Sequence, residues 1–134
     1  MPEDYALMLE GWVRRLLMAG VTPGRITLVG FSRGGQITAS ASSRLASTGI
    51  NTAILAICFE GGFTHVPPIV LSGHLLSLYE TTDVVGSRAK LAARSRLASF
   101  EEIAISTGKK HGAFYQPMPE WVRPLRAWID KTNR

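Results

Sequence analysis

Arg25-Ile26-Thr27-Leu28-Val29-Gly30-Phe31-Ser32-Arg33-Gly34-Gly35 is the stretch whose reading decides the fold. The centre of Arg25–Phe31 is almost continuously apolar, the pattern of a strand covered on both faces. It runs without a linker into residues 33–46, which read as a helix ended by Thr48-Gly49. A buried-type strand entering a helix through Gly-x-Ser-x-Gly is the setting of a nucleophile elbow. The serine sits on a sharp, strained turn where neighbouring Cβ atoms would clash, hence the glycines. The helix N-terminus behind it aims N–H groups at developing negative charge. The plainer reading is a tight turn in which Ser32 caps the helix.

The same alternation extends outward. Residues 5–19 form an amphipathic helix, with Leu9, Trp12, Val13, Leu16 and Leu17 on one face. Asp4 can cap its start and Gly20 its end. Residues 52–59 read as a second buried-type strand containing Cys58, a small hydrophobe without a neighbouring base. Residues 61–68 are a loop with two glycines and two prolines. A third strand covers 75–79, a helix 87–99, a fourth strand 101–106 and a last helix 119–131. Pro124 either begins that last helix or kinks it. Strands alternating with helices imply βαβ units. The expected fold class is α/β: one domain over residues 1–134, a parallel four-stranded sheet with helices on both faces.

Composition narrows the function classes. Of 134 residues, 46% are apolar and 19% charged, which excludes whole-chain disorder. No apolar run reaches the ~20 residues of a membrane helix. One cysteine cannot form an internal disulfide. The net charge of +5 comes from cations spread from Arg14 to Arg134 without interleaved aromatics. This points to a basic surface rather than a nucleic-acid site. No basic region followed by an apolar run opens the chain, so a cytoplasmic location is expected.

Ligands and catalysts in parallel sheets gather at the carboxyl ends of the strands. Three residues meet that condition. Ser32 follows the first strand, Asp83 the third, and His111 the fourth, beside Gly112. Asp83 can orient a histidine and stabilise its imidazolium, with Glu80 the competitor for that role. His111 has the reach of a general base. His65 falls in the Gly/Pro loop, and His74 lies near the wrong end of a strand. Glu60, His65 and His74 show no metal-ligand spacing, so no metal and no organic cofactor is expected. Phe114, Tyr115, Trp121 and Trp128 read as core packing for the last helix rather than a pocket lining.

The order Ser, Asp, His matches that of the α/β-hydrolase superfamily. Gly-Phe-Ser-Arg-Gly-Gly at 30–35 and Lys-His-Gly-Ala-Phe at 110–114 resemble the motifs of lidless esterases related to dienelactone hydrolases. The resemblance implies Ser32 as nucleophile, Asp83 as acid, His111 as base and the Arg33 backbone N–H as oxyanion donor. It implies a carboxylic ester or thioester substrate and an acyl-enzyme. It extends only to the C-terminal half of that fold, so the family's earlier strands and its second oxyanion loop have no counterpart here. One oxyanion donor is worth about 2.7–4 kcal/mol in the transition state. Without those strands Arg25–Phe31 becomes an edge. The alternatives are therefore a homodimer through that edge, or a catalytically weak fragment serving as a binding or assembly module.

Overall fold

The computed structural model describes residues 2–57, 69–83 and 86–134. Cys58, Glu60, His65 and the loop 61–68 lie outside them. Helix α1 (Pro2–Met18) is followed by a 3-10 turn at Pro23–Arg25, strand β1 (Thr27–Phe31) and helix α2 (Arg33–Ala46). Then come β2 (Ala53–Ile57), β3 (Ser72–Glu80), the short helix α3 (Ala89–Ala93) and β4 (Arg96–Ile105). A second 3-10 turn at Lys110–Tyr115 leads into α4 (Pro119–Thr132). The strands lie in chain order β1-β2-β3-β4, with each adjacent pair parallel. Parallel pairing brings all the carboxyl ends to one side. The β3–β4 ladder runs from Ser72 opposite Arg96 to Glu80 opposite Ile105, with an irregularity at Gly73/His74.

Three apolar cores hold these elements. Leu76 and Leu78 of β3 meet Ile105, Phe114 and Trp128 under α4. Leu75, on the opposite face, packs with Ala39 of α2 and Leu91 of α3. Ala6 and Val13 of α1 pack on Ala41 and Leu45 of α2 and on Ile26 and Leu28. The buried residues of α2 are Gly35, Thr38, Ala39, Ala41, Ser42 and Leu45. Mostly small side chains there let the helix lie close to the strand that feeds it.

The expectation of a parallel four-stranded sheet with helices on both faces does not hold as stated. The helical cover is uneven. On the α4 face it stops short of β1, and Val29 is 51% exposed. Apolar character in β1 therefore did not mean burial on both sides. The helix expected over 87–99 shrinks to Ala89–Ala93. The rest of that segment extends β4 back to Arg96, and β3 likewise begins at Ser72 rather than at 75. Residues 96–99 are good helix formers on local preference, but they alternate exposed and half-buried along an edge strand. Pairing with β3 outweighs propensity there. Seryl hydroxyls assist: Ser95 Oγ accepts from the Leu71 N–H at 3.0 Å, and the Arg96 N–H donates to the Leu71 carbonyl at 2.8 Å.

Smaller differences have local causes. Asp4 lies inside the first turn of α1 rather than capping it. β1 begins two residues late because Pro23 starts a 3-10 turn. Helix α4 continues through Pro124. Its end is tied to the entry of β1, where Asn133 Nδ2 donates to the Arg25 carbonyl at 2.9 Å and to Thr27 Oγ1 at 3.0 Å. Among the described residues no helix is long and apolar enough to cross a membrane.

The uneven cover has a measurable consequence. Leu78→Ala should cost about 2–5 kcal/mol in chemical denaturation. Val29→Thr should stay within about 0.5 kcal/mol of the parent. An equal loss at Val29 would mean that β1 is buried on its α4 face.

Candidate active site

Ser32 joins β1 to α2 with φ 56° and ψ −119°. Among the described residues only one other non-glycine, Lys110 with φ 52°, has positive φ. One strained residue is the expected nucleophile and the other immediately precedes the expected base. Such conformations cost about 1–3 kcal/mol each and persist only where surrounding contacts impose them. The Ser32 hydroxyl makes no capping bond to α2, so the plain cap reading does not describe it. Arg33 is exposed and is the first residue of α2. Its N–H belongs to the first-turn set that has no intrahelical acceptor.

The two elbow glycines are not equivalent. A Cβ on Gly30 would run into the backbone carbonyl of Gly34. A Cβ on Gly34 meets nothing within 4 Å. The tight passage that requires glycine is therefore at Gly30 alone, where the strand passes under the first turn of its own helix.

Asp83 and His111 meet directly. Asp83 Oδ2 lies 2.7 Å from His111 Nδ1, with the carboxylate side chain 3% exposed and the imidazole 27%. An ionised carboxylate can only accept, so Nδ1 carries the proton and Nε2 presents its lone pair. Phe31, the residue before Ser32, lies against the imidazole with ring centroids 5.0 Å apart. Tyr115 stands edge-on to both, 5.3 Å from Phe31 and 6.4 Å from His111. Among the described residues no hydrogen bond joins Ser32 to His111. The elbow and the histidine meet through the Phe31 ring.

Trp121 anchors the segment carrying the histidine. Its indole N–H is shared between the carbonyls of Ala113 at 3.1 Å and Gln116 at 3.0 Å. Phe114 and Trp128 are buried, matching the core reading, whereas Tyr115 is 72% exposed. His74 sits at the opposite end of β3, its Nδ1 2.6 Å from Ser99 Oγ. Among the described residues no cluster of His, Cys, Asp and Glu is arranged to hold a metal.

Glu80 is not the partner of His111. Its carboxylate is fully buried and accepts five hydrogen bonds. Oε1 takes the Thr82 N–H at 2.6 Å and the Thr82 hydroxyl at 2.7 Å. Oε2 takes the Thr107 N–H at 2.7 Å, the Thr107 hydroxyl at 2.5 Å and the Gly108 N–H at 3.0 Å. The Thr107 hydroxyl first, and then the Thr82 N–H and hydroxyl, pull its pKa down to about 2 against the opposing effect of burial. The signal for this cluster lay in two hydroxyl-bearing turns after adjacent strands, Thr81-Thr82 and Ser106-Thr107. Nothing in either turn alone says that both converge on one carboxylate.

A comparison with models of known protein families finds no match for the chain. A comparison with curated proteins finds none either. The chemistry is therefore argued from the residues themselves.

Two outcomes are expected here. Gly30→Ala should lower stability by about 1–3 kcal/mol, while Gly34→Ala is neutral or better, both read from denaturant midpoints. Glu80 holds a depressed pKa, so its contribution to stability is complete above the ordinary carboxylate value near 4.5. It is lost as pH falls from there through about 2. The stability gap between parent and Glu80→Gln should be constant above pH ~5 and narrow toward pH ~2. A gap independent of pH would contradict the buried carboxylate.

Proposed function

We propose that the chain is a serine hydrolase acting on a carboxylic ester or thioester, with Ser32 as nucleophile, His111 as general base and Asp83 as its partner. The observation that carries this reading is the strained Ser32 at a strand-to-helix turn whose preceding residue, Phe31, lies against an imidazole hydrogen-bonded at 2.7 Å to a nearly buried carboxylate. His111 Nε2 takes the Ser32 proton as Oγ attacks the carbonyl. Asp83 holds the Nδ1–H tautomer and stabilises the imidazolium that forms. The Arg33 N–H donates to the oxyanion. His111 then protonates the leaving group, and water releases the acyl-enzyme. The motif resemblance to lidless α/β-hydrolase esterases supports the same assignment. The reading needs no metal or organic cofactor, and the cytoplasm is the proposed location.

A second reading has its own observation. β1 bounds the sheet, with Val29 exposed at its outer end of the strand order. Tyr5, Met8, Trp12 and Leu16 of the neighbouring α1 are also exposed. An uncovered edge flanked by apolar side chains suits pairing with a second copy. Under this reading the fold serves assembly through Arg25–Phe31, and catalysis is weak or absent.

Treatment with a fluorophosphonate, followed by intact-mass measurement, separates the two. A single adduct on the parent and none on Ser32→Ala is expected. Asp83→Asn should react on the order of 10⁴-fold more slowly, because the wrong tautomer is presented. A folded, dimeric parent that takes no adduct would replace the hydrolase reading with the assembly reading.

A further inference from the structure

The turns at 81–83 and 106–110, which carry Asp83 and lead to His111, place none of their residues in the three apolar cores. They do share one acceptor, the Glu80 carboxylate, which lies at the end of β3 opposite Ile105 of β4. Each oxygen serves one loop. Oε1 holds Thr82, adjacent to Asp83, and Oε2 holds Thr107 and Gly108, just before His111.

The links from these donors to the two site residues are short and internally bonded. On the β3 side the Asp83 N–H donates to the Glu80 carbonyl at 3.0 Å, closing the turn. The Thr81 N–H donates to the Ile105 carbonyl at 2.9 Å, continuing the ladder past the strand ends. On the β4 side the Lys109 N–H reaches Thr107 Oγ1 at 3.2 Å, and the Gly112 N–H reaches the Lys109 carbonyl at 3.0 Å. Gly108 and Lys110 both take positive φ to make that turn. A change at the carboxylate is therefore passed to both partners of the 2.7 Å Asp83–His111 bond.

We propose that Glu80 is a positioning residue: its carboxylate, buried among five donors from two loops, sets the distance and orientation between Asp83 and His111. The inference rests on the hydrolase reading of those residues for its catalytic meaning. The chemistry explains why the residue is a glutamate. Five N–H and O–H groups converge on it, and an ionised carboxylate is the side chain that only accepts. Glutamine would aim an NH2 group at donors. Aspartate is one methylene short of both loops. A residue that served stability alone would lower the melting temperature when changed but leave the imidazole where it is.

The test uses the full chain with ¹⁵N-labelled histidine, together with the rate of fluorophosphonate labelling at Ser32. In the parent, His111 should show the Nδ1-protonated tautomer with a downfield, slowly exchanging Nδ1 proton. In folded Glu80→Gln that proton signal should disappear. Labelling should slow on the order of 100-fold, the effect of an ångström-scale displacement. Thr107→Val, which removes one hydroxyl donor and keeps the backbone bonds, should give a smaller change in the same direction. It decides the question if Glu80→Gln does not fold. A folded variant that keeps both the His111 signal and the labelling rate overturns the proposal. If the parent takes no label, the hydrolase reading falls, and the His111 signal alone decides for or against Glu80.

Discussion

A carboxylate removed from water must be surrounded by donors, and among the described residues two loops supply them at the end of β3. Glu80 meets that requirement with three backbone N–H groups and two threonine hydroxyls. The consequence runs in both directions. The charge is tolerable because the loops close around it, and the ionised acceptor in turn draws five donors from the two loops toward one point. Two turns of little hydrophobic content acquire a fixed separation in this way. The residues they carry, Asp83 and His111, inherit it. The parallel β3–β4 ladder makes the closure geometrically natural, since Glu80 and Ile105 are in register and both chains leave the sheet on the same side.

The positive-φ side chains show where the fold holds strain. Ser32 and Lys110 are the two described non-glycine residues that take it, and they belong to the turns that carry Ser32 and His111. Neither conformation is favourable in an isolated peptide. Ser32 is held by the passage of Gly30 beneath the Gly34 carbonyl and by an α2 face of small side chains against β1. Lys110 is held between the Glu80 contacts on one side and the Trp121 indole bonds on the other. Strain confined to two well-supported turns at one end of a sheet is a pattern more often associated with chemistry than with packing.

The elbow was readable because its signal is local. An apolar strand, the Gly-x-Ser-x-Gly motif and a helix follow one another, and α2 spans Arg33–Ala46, the range read from the sequence. Asp83 and His111 were readable as strand-end residues, and their 2.7 Å contact follows from parallel pairing. What was not legible depends on partners distant in sequence. Residues 96–99 become strand because Ser72 and Gly73 lie beside them, and a short window cannot register that partner. Val29 looks buried in sequence because valine suits a covered strand. Its exposure follows from where α4 comes to rest, over β3 rather than β1. Glu80 looked like a rival acid because a single carboxylate does not disclose which donors will surround it.

The candidate site is thus assembled from two halves with unequal support. Asp83 and His111 follow β3 and β4, which are joined by a ladder of nine residue pairs and clamped beyond its end by Glu80. The proposed nucleophile, Ser32, follows β1, which among the described residues pairs on one side, through five residues from Thr27 to Phe31. The contact between the halves is aromatic, Phe31 against His111, rather than a hydrogen bond. Aromatic contacts of this kind are worth about 0.5–1.5 kcal/mol beyond the area they bury, and they tolerate small sliding motions. A hydrogen bond from Ser32 to His111 does not tolerate sliding. The placement of Ser32 relative to His111 therefore depends on how firmly β1 is seated against β2 and α2. A contact that covered the outer side of β1 would bear on the proposed catalysis through that seating.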